Sequence, residues 1–180
     1  MALHIIDEAN RCLNCKKPRC QQGCPVHTPI PEIIQLFNEN KLMEAGEKLF
    51  ENNPLSAICS TVCNHEMQCA GHCVLGKKGN PIHFSSVENF ISDAYLDRMT
   101  CGKAKQKGKS VAIIGGGPAG MTAAMLLAKE GYGVTIFEAK DKIGGIMQYG
   151  IPDFRLPKSI LTRYKKKMLE MGIQIRPNTT

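Results

Sequence analysis

Apolar residues recur at helical spacing in three stretches of the first hundred residues. The first stretch follows Thr28, which can cap a helix, and the third follows Ser85 and Ser86, either of which can do the same. The second spans about Leu42 to Glu51. As a helix it would bury the apolar side chains of Leu42, Met43, Ala45, Leu49 and Phe50. Residues 10–27 are polar and rich in turn-forming residues, so the pattern predicts an all-α region with a long loop near its start.

The pattern changes after a lysine-rich stretch, GKAKQKGKS, at residues 102–110. The wholly apolar segment Val111–Ile114 predicts a buried parallel strand. The elements that follow are a helix at 118–130 ended by Gly131, a strand at 134–137, a helix at 157–171 and the start of a strand at 173–175. This order predicts a β-α-β unit. We therefore expect a helical domain at 1–102, a linker at 103–110 and a second domain at 111–180.

The composition is that of an ordinary globular protein, with 43% hydrophobic and 22% charged residues. No run of about 18 apolar residues is present, and the N-terminus lacks the pattern of a secretory signal. We therefore expect a cytoplasmic protein that does not bind a membrane. The formal net charge of +7 comes from scattered lysines without a nucleic-acid-binding motif, so we expect no nucleic-acid partner.

Eight of the nine cysteines form two quartets near the N-terminus. The first quartet is Cys12, Cys15, Cys20 and Cys24, with Pro25 directly after it. The second quartet is Cys59, Cys63, Cys69 and Cys73. Eight free thiols this close together would oxidise unless they bound a metal or formed disulfides, and a reducing compartment disfavours disulfides.

Iron–sulfur clusters are the interpretation that the spacing favours. Structural zinc sites usually show two short Cys pairs separated by a longer loop, whereas low-potential clusters use compressed runs that end in Cys-Pro. Zinc remains as one alternative, and disulfides or unliganded thiols remain as another. Cys101, which lies apart, is predicted to be an ordinary thiol, and His27, His65 and His72 either ligate or simply pack near the ligands.

A glycine-rich segment, residues 115–120, satisfies the G-x-G-x-x-G pattern between a predicted strand and a predicted helix. In such a loop Gly115 makes the tight turn, Gly117 lets the backbone approach a pyrophosphate, and Gly120 permits close helix–strand packing. Glu138, at the end of the next strand, can accept hydrogen bonds from an adenosine ribose. Its charge argues against a 2′-phosphate, and hence against NADP, at this position.

The loop alone does not separate NAD from FAD. Gly144-Gly145, soon after Glu138, favours FAD, and Arg155 can contact a phosphate or the flavin. We find no nucleophile–base pair and predict no catalytic residue. The predicted fold class is therefore α + α/β: an all-α iron–sulfur domain, a ferredoxin-like helical cluster module, followed by an incomplete Rossmann-like βαβ segment that binds FAD.

The cysteine module followed by IIGGGPAG, Glu138, a glycine pair and YGIPDFRLPK resembles the small (β) subunit of NADPH-dependent glutamate synthase. It is similar also to the N-terminal part of dihydropyrimidine dehydrogenase and to the flavin subunit of NADH-dependent ferredoxin:NADP oxidoreductase. The resemblance extends from about Arg11 to Arg176. It is specific because two unrelated sets of motifs occur in the same order.

The resemblance implies two [4Fe-4S] clusters with crossed ligation. Cys73 would join Cys12, Cys15 and Cys20 at one cluster, and the other would be held by Cys24, Cys63 and Cys69. The fourth ligand of the second cluster is Glu88, at the position of a glutamine ligand in the dihydropyrimidine enzyme, or else Cys59. Together with the glycine motif, the resemblance places FAD against Gly115, Gly116, Gly117, Pro118, Ala119, Gly120, Glu138, Gly144, Gly145, Ile146 and Arg155.

Proteins of this kind continue into the rest of the FAD domain and a domain for NAD(P)H. We therefore expect the chain to be a truncated product or a fragment, inactive alone. The resemblance implies an electron-transfer oxidoreductase subunit that passes electrons from NAD(P)H through FAD and the clusters to a large subunit of glutamate synthase type or to ferredoxin. The alternatives are a flavin subunit for pyrimidine reduction or ferredoxin:NADP oxidoreduction, and a non-enzymatic docking module stabilised by metal.

Overall fold

A computed structural model of the chain describes residues 2–100 and 105–180 and divides the chain into two units, Met1–Met99 and Thr100–Thr180. The prediction for Cys101 and the first two residues of the predicted linker lie outside the described residues. Within the described residues no helix is long and apolar enough to cross a membrane.

The described part of the first unit is helical, as predicted. Its helices are α1 (Ala2–Asn10), α2 (Arg19–Gln22), α3 (Ile30–Asn38), α4 (Leu42–Asn52), α5 (Ser56–Val62) and α6 (Phe84–Arg98), with a short 3₁₀ turn at Val74–Lys77. The three predicted helices correspond to α3, α4 and α6. Helix α1 was not predicted. It is tied to the start of α6 by Glu8, which accepts the His83 backbone N–H at 2.7 Å.

The predicted helix caps are wrong. Helix α3 begins at Ile30 with Pro29 at its N-cap, and the Thr28 hydroxyl instead lies 3.3 Å from the sulfur of Cys24. Helix α6 begins before Ser85 and Ser86, which lie in its first turn without capping it. The predicted burial of Met43 is also wrong, because this side chain points away from the core and is 39% exposed.

The core of the first unit lies where α1, α3, α4 and α6 meet. It is built from aliphatic side chains such as Ile33, Leu49 and Ile91, none of which is exposed. Cys12, Cys20 and other partly buried sulfurs pack directly against this core. The core fixes the positions of the helices. Because the cysteine side chains pack against the same core, it also fixes the loops that carry them.

The second unit contains a three-stranded parallel sheet in the order β1-β2-β3. Along the chain its elements are β1 (Ser110–Ile114), α7 (Pro118–Lys129), β2 (Gly133–Phe137), α8 (Ile146–Tyr149), α9 (Ser159–Glu170) and β3 (Gln174–Arg176). The register aligns Ile113 with Ile136 and Ile136 with Ile175. The predicted β-α-β unit is confirmed, and α8 is an addition to it.

The predicted burial of the first strand is wrong. Among the described residues β1 pairs with β2 alone, and its last residue, Ile114, is 93% exposed. The central strand β2 has neighbours on both sides, and its Ile136 is fully buried. An apolar run of this length therefore identified a parallel strand correctly but did not tell a central strand from an edge strand.

Candidate functional site

Cysteines of both quartets line a cavity on the first unit, which we call the first cavity. Its sulfur-bearing residues are Cys12, Cys15, Cys20, Cys69 and Cys73. Cys12 follows the end of α1, where its N–H bonds to the Ala9 carbonyl at 3.1 Å, and Cys20 lies on α2. Cys73 directly precedes the 3₁₀ turn. The remaining walls are mostly aliphatic and aromatic, including Ile30, Ile34, Leu75, Ile82 and Phe84.

The other cysteines line a second cavity in the same unit. It is surrounded by Cys24, Cys59, Cys63, Cys69 and Glu88. Cys59 lies within α5, and Cys63 is the residue that ends that helix. Glu88 lies on α6 and is only 5% exposed. The structure thus places Cys73 with the first quartet and Cys24 with the second, although each belongs to the other quartet in sequence.

The two cavities share a wall formed by Ile30, Cys69 and Phe84, each of which lines both. Among residues 2–100 and 105–180, no three His, Cys, Asp or Glu side chains converge on a point that would bind a single metal ion. The sulfurs instead surround two volumes. Thiol ligands around a space with apolar walls are the donor set of an iron–sulfur cluster, so the residues present fit that group.

Side chains that the sequence analysis did not single out contact the sulfurs of the second cavity. The Asn53 amide donates to the Cys59 sulfur at 3.2 Å, and the Cys63 thiol donates to the Gln68 side-chain oxygen at 2.7 Å. Asn53 is the C-cap residue of α4 and precedes Pro54, a pattern typical of a helix end, so nothing in the local sequence indicates its contact with Cys59. A ring nitrogen of His65 lies 3.5 Å from the Cys69 sulfur.

Burial raises the pKa of several of these groups. The pKa of Cys20 and that of Cys59 rise to about 11, and the pKa of Cys69 rises to about 12. Burial also raises the pKa of Cys12 and Cys63. These five thiols are therefore protonated near neutral pH without a metal, and a bound metal must displace their protons.

Glu88 differs from the cysteines because it is a buried carboxyl group without a partner. Burial raises the pKa of Glu88 to about 8. The Ser92 hydroxyl donates to the main-chain carbonyl of Glu88 at 2.6 Å, but within the described part of the chain the Glu88 carboxyl group forms no hydrogen bond or ion pair. A buried polar group in this situation destabilises the fold unless a ligand satisfies it. Its position in the wall of the second cavity gives it access to such a ligand.

The glycine-rich loop of the second unit joins β1 to α7. Gly115 has φ +95°, a conformation that favours glycine, and Gly117 is the N-cap of α7. A Cβ atom on Gly120 would lie 2.0 Å from the Gly115 carbonyl oxygen, so only glycine allows this close approach. Pro118 and Ala119 form the first turn of the helix, whose leading amides have no partner within the helix.

Glu138 reaches this loop from the end of β2. One of its carboxylate oxygens accepts the Gly116 N–H at 2.7 Å, and the other accepts the Lys140 N–H at 2.9 Å. The Gly144 N–H donates to the Gly116 carbonyl at 2.7 Å, which brings the second glycine pair against the first loop. A Cβ atom on Gly145 would lie 2.9 Å from the Gly117 Cα atom. The separate glycine motifs and the carboxylate therefore form one site.

Two predicted residues of this site lie toward solvent. Ile146 begins α8 and is 65% exposed. Arg155 is also exposed, in the segment between α8 and α9. Of the three histidines considered in the sequence, His65 lines the second cavity, whereas His27 and His72 line neither cavity. The ring of His72 instead contacts the Gln68 carbonyl oxygen at 2.6 Å.

Comparison with known proteins gives two family matches. A family described as dihydropyrimidine dehydrogenase domain II, 4Fe-4S cluster, matches residues 2–100, and an NAD(P)-binding Rossmann-like domain matches residues 113–161. The two matched segments coincide with the cysteine cavities and with the glycine-rich site.

Individual relatives extend over nearly the whole chain. The small chain of glutamate synthase [NADPH] from Escherichia coli K12 is 37% identical over 175 residues, which are 96% of this chain and 37% of that protein. The PreT subunit of NAD-dependent dihydropyrimidine dehydrogenase from Salmonella typhimurium is 38% identical over 180 residues, which are 98% of this chain and 43% of that protein. The chain thus spans about two fifths of the length of these relatives.

Proposed function

The chain belongs to the dihydropyrimidine dehydrogenase domain II, 4Fe-4S cluster family, and from this premise we propose that it is the cluster-bearing part of an electron-transfer oxidoreductase subunit. The resemblance to glutamate synthase small chains and to dihydropyrimidine dehydrogenase subunits is confirmed by the relatives found. In the proposed role the first unit carries single electrons and the second unit binds part of a nucleotide cofactor.

The first unit would hold two [4Fe-4S] clusters, one in each cavity. We assign Cys12, Cys15, Cys20 and Cys73 to the first cluster. Cys24, Cys63 and Cys69 belong to the second. The observation that carries this proposal is the exchange of partners between the quartets, because residues far apart in sequence line the same cavity. Such a cluster accepts and releases one electron at a time.

We propose Glu88 as the fourth ligand of the second cluster. The Glu88 carboxyl group is buried in the cavity wall and has no hydrogen-bond partner among the described residues, whereas the sulfur of the rival Cys59 already accepts a bond from Asn53. Ligation would satisfy a carboxyl group that is otherwise costly to bury. The same ligation requires Glu88 to release its proton, which burial opposes and a positively charged metal favours.

The residues that line the cavities would also hold the clusters in place and exclude water from them. The apolar walls of the first cavity, such as Ile34 and Ile82, keep water away from the sulfurs. A low dielectric around a cluster and hydrogen bonds to its sulfurs are the means by which a protein sets its reduction potential.

The second unit would bind FAD through the glycine-rich site. The α7 N-terminus and the close approach at Gly117 suit a pyrophosphate. Glu138 is oriented by the Gly116 and Lys140 amides, and it retains lone pairs for the ribose hydroxyls. Gly144, Gly145, Ile146 and Arg155 would extend this contact along the cofactor. NAD(P)H would serve as the electron source in the longer relatives only.

A glutamate synthase reaction with a large partner subunit is the function we favour. The relatives named glutamate synthase [NADPH] small chain come from several bacteria, and their name implies a larger chain in the same enzyme. A dihydropyrimidine dehydrogenase subunit is the second candidate, supported by PreT proteins that are 36% and 38% identical to the chain, a similar level of identity. Either protein would work in the cytoplasm, where thiols stay reduced.

The test is the metal content of protein purified without oxygen. We expect about eight iron atoms and about eight sulfide ions per chain, with a broad visible absorbance that fades on reduction. Stoichiometric zinc, or a folded protein without iron, would overturn the electron-transfer proposal. A Cys101→Ser variant is the matched control, because Cys101 is predicted to be an ordinary thiol, and it should keep the full iron content.

A further inference from the structure

Basic residues are concentrated in the two segments that carry the cysteines of the first cavity. Residues 9–31 contain four basic residues and no acidic one, and residues 67–87 contain two basic residues and no acidic one. One of the six, Arg11, is paired with Glu8 at 2.8 Å. We call the other five the basic rim: Lys16, Lys17, Arg19, Lys77 and Lys78.

All five side chains of the basic rim are exposed. Among the residues that the structure describes, none of the five forms an ion pair. Lysines elsewhere on the same unit behave differently. Lys41 pairs with Glu39 at 2.7 Å, and Lys48 pairs with Glu32. The basic rim therefore presents positive charge that is not neutralised within the described parts of the molecule.

The basic rim borders the first cavity. Arg19 lines the cavity itself, Lys16 and Lys17 directly follow Cys15, and Lys77 ends the 3₁₀ turn whose first residues form part of the wall. Two apolar side chains that also line the cavity reach the surface. Leu13 is 60% exposed and Val74 is 38% exposed. An apolar centre with a charged border is the usual anatomy of a protein interface.

We propose that the basic rim and its apolar centre dock the acidic surface of a redox protein over the first cavity. The inference rests on the proposed function and adds to it the side of the molecule that faces the partner and the charge of that partner. Unpaired lysines around a small apolar centre favour an acidic protein as the partner. A lipid surface or a nucleic acid could bind the same charges, but its binding would give no reason for a cysteine cavity at the centre of the rim. Opposite charges of this kind act mainly by speeding association.

The experiment measures binding of an acidic ferredoxin, the probe, to the full chain purified without oxygen. In the rim variant, Lys16, Lys17, Lys77 and Lys78 are all replaced by Gln, and Arg19 is left in place because it lines the cavity. We expect the association rate at low ionic strength to fall by at least about tenfold. The steep decrease of the wild-type rate with added salt should become shallow.

The matched control removes the same charge from lysines that are already paired. It replaces Lys41, Lys48, Lys107 and Lys166 by Gln, each of which forms a surface ion pair. We expect association close to the wild-type rate. Carbodiimide coupling of lysine amines to carboxylates should in addition link the probe to rim lysines of the wild type.

Several results would overturn the docking proposal. They are an undetectable interaction with the probe, equal rates for the rim variant and the control, and a rim that binds anionic vesicles or duplex DNA but not the probe. Iron and sulfide are measured on the same samples. A sample without iron contradicts the proposed function, whereas a sample with full iron and no rim-dependent binding contradicts the docking proposal alone.

Discussion

The two cysteine cavities of the first unit differ in the groups that contact their sulfurs. Backbone amides contact sulfurs in both cavities, those of Asn14 and Gln21 in the first and those of Asn64 and Ala70 in the second. Among the described residues no side chain forms a hydrogen bond with the four sulfurs that we assign to the first cluster, those of Cys12, Cys15, Cys20 and Cys73. In the second cavity, the side chains of Thr28 and Asn53 contact sulfurs directly. The second cavity is also roomier, about 140 Å³ against about 30 Å³.

This difference indicates how each site can be tuned. A substitution at Thr28 or Asn53 removes a polar contact of the second cavity and leaves the backbone in place. In the first cavity the same effect would need a change in loop conformation, because the donors are main-chain groups. The second cavity also has a buried carboxyl group, Glu88, for which the first has no counterpart among its lining residues.

Replacing Cys73 by Ser should have the largest effect, and it tests whether the cavities are separate sites. We expect iron to fall from about eight to about four atoms per chain, because one cluster loses a ligand and the other keeps all of its own. Adding Cys12→Ser should cause no further loss. Adding Cys63→Ser instead should remove almost all the iron.

The opposite pattern in the double variants would show that the grouping is wrong. If Cys73→Ser with Cys63→Ser kept about four iron atoms while Cys73→Ser with Cys12→Ser kept none, Cys73 would belong to the second cluster. Far-ultraviolet circular dichroism of each variant separates the loss of a cluster from unfolding of the helical unit.

A change at Glu88 should have a smaller effect, and it tests the feature that sets the second cavity apart. We expect Glu88→Ala to lose iron from the second site, toward about four atoms per chain after exposure to air, because the cluster lacks a ligand. Glu88→Gln should retain more iron, since its amide oxygen can still ligate. Cys59→Ala is the matched comparison on the other side of the cavity. If Cys59→Ala lost the iron and Glu88→Ala kept it, Cys59 would be the ligand.

The sequence predicted most helices and strands of both units correctly. It predicted the helix caps and the exposure of individual side chains less well. Periodicity placed α4 within one residue of its ends, and Gly131, with φ +87°, follows α7 as expected. The caps failed because a hydroxyl before a helix has other possible partners, and Thr28 contacts Cys24 instead. The exposure of Ile114 was missed because strand order depends on pairing that a local pattern does not contain.

The cysteine cavities also depend on long-range packing that a local sequence pattern does not contain. Spacing within a quartet predicted cluster ligands, but local spacing carries no information that Cys73 lies beside Cys12. That grouping was implied by the family resemblance, and the fold brings it about by packing both loops on one core. The burial of Glu88 follows from the face that α6 turns toward α5. The contacts of Asn53 and Thr28 depend on side-chain placement, which no local pattern encodes.

The smallest predicted effect concerns Thr28, whose hydroxyl lies 3.3 Å from the Cys24 sulfur and is buried with it. When Cys24 is a thiolate it carries no proton, so the hydroxyl must be the donor. A hydrogen bond to a sulfur stabilises the reduced, more negative form of a cluster more than the oxidised form. Thr28→Val removes the donor with little change in volume.

We therefore expect Thr28→Val to lower the potential of the second cluster by on the order of 40 mV, the one-electron equivalent of about 1 kcal/mol. The potential of the first cluster should stay unchanged, since Thr28 does not line that cavity. Thr28→Ser, which keeps the hydroxyl, is the control, and the potential of its second cluster should stay close to that of the wild type. A redox titration followed by electron paramagnetic resonance measures both potentials. Equal shifts at the two clusters would contradict the distinction between the cavities, because a hydroxyl acting through Cys24 can change only the cluster that Cys24 holds.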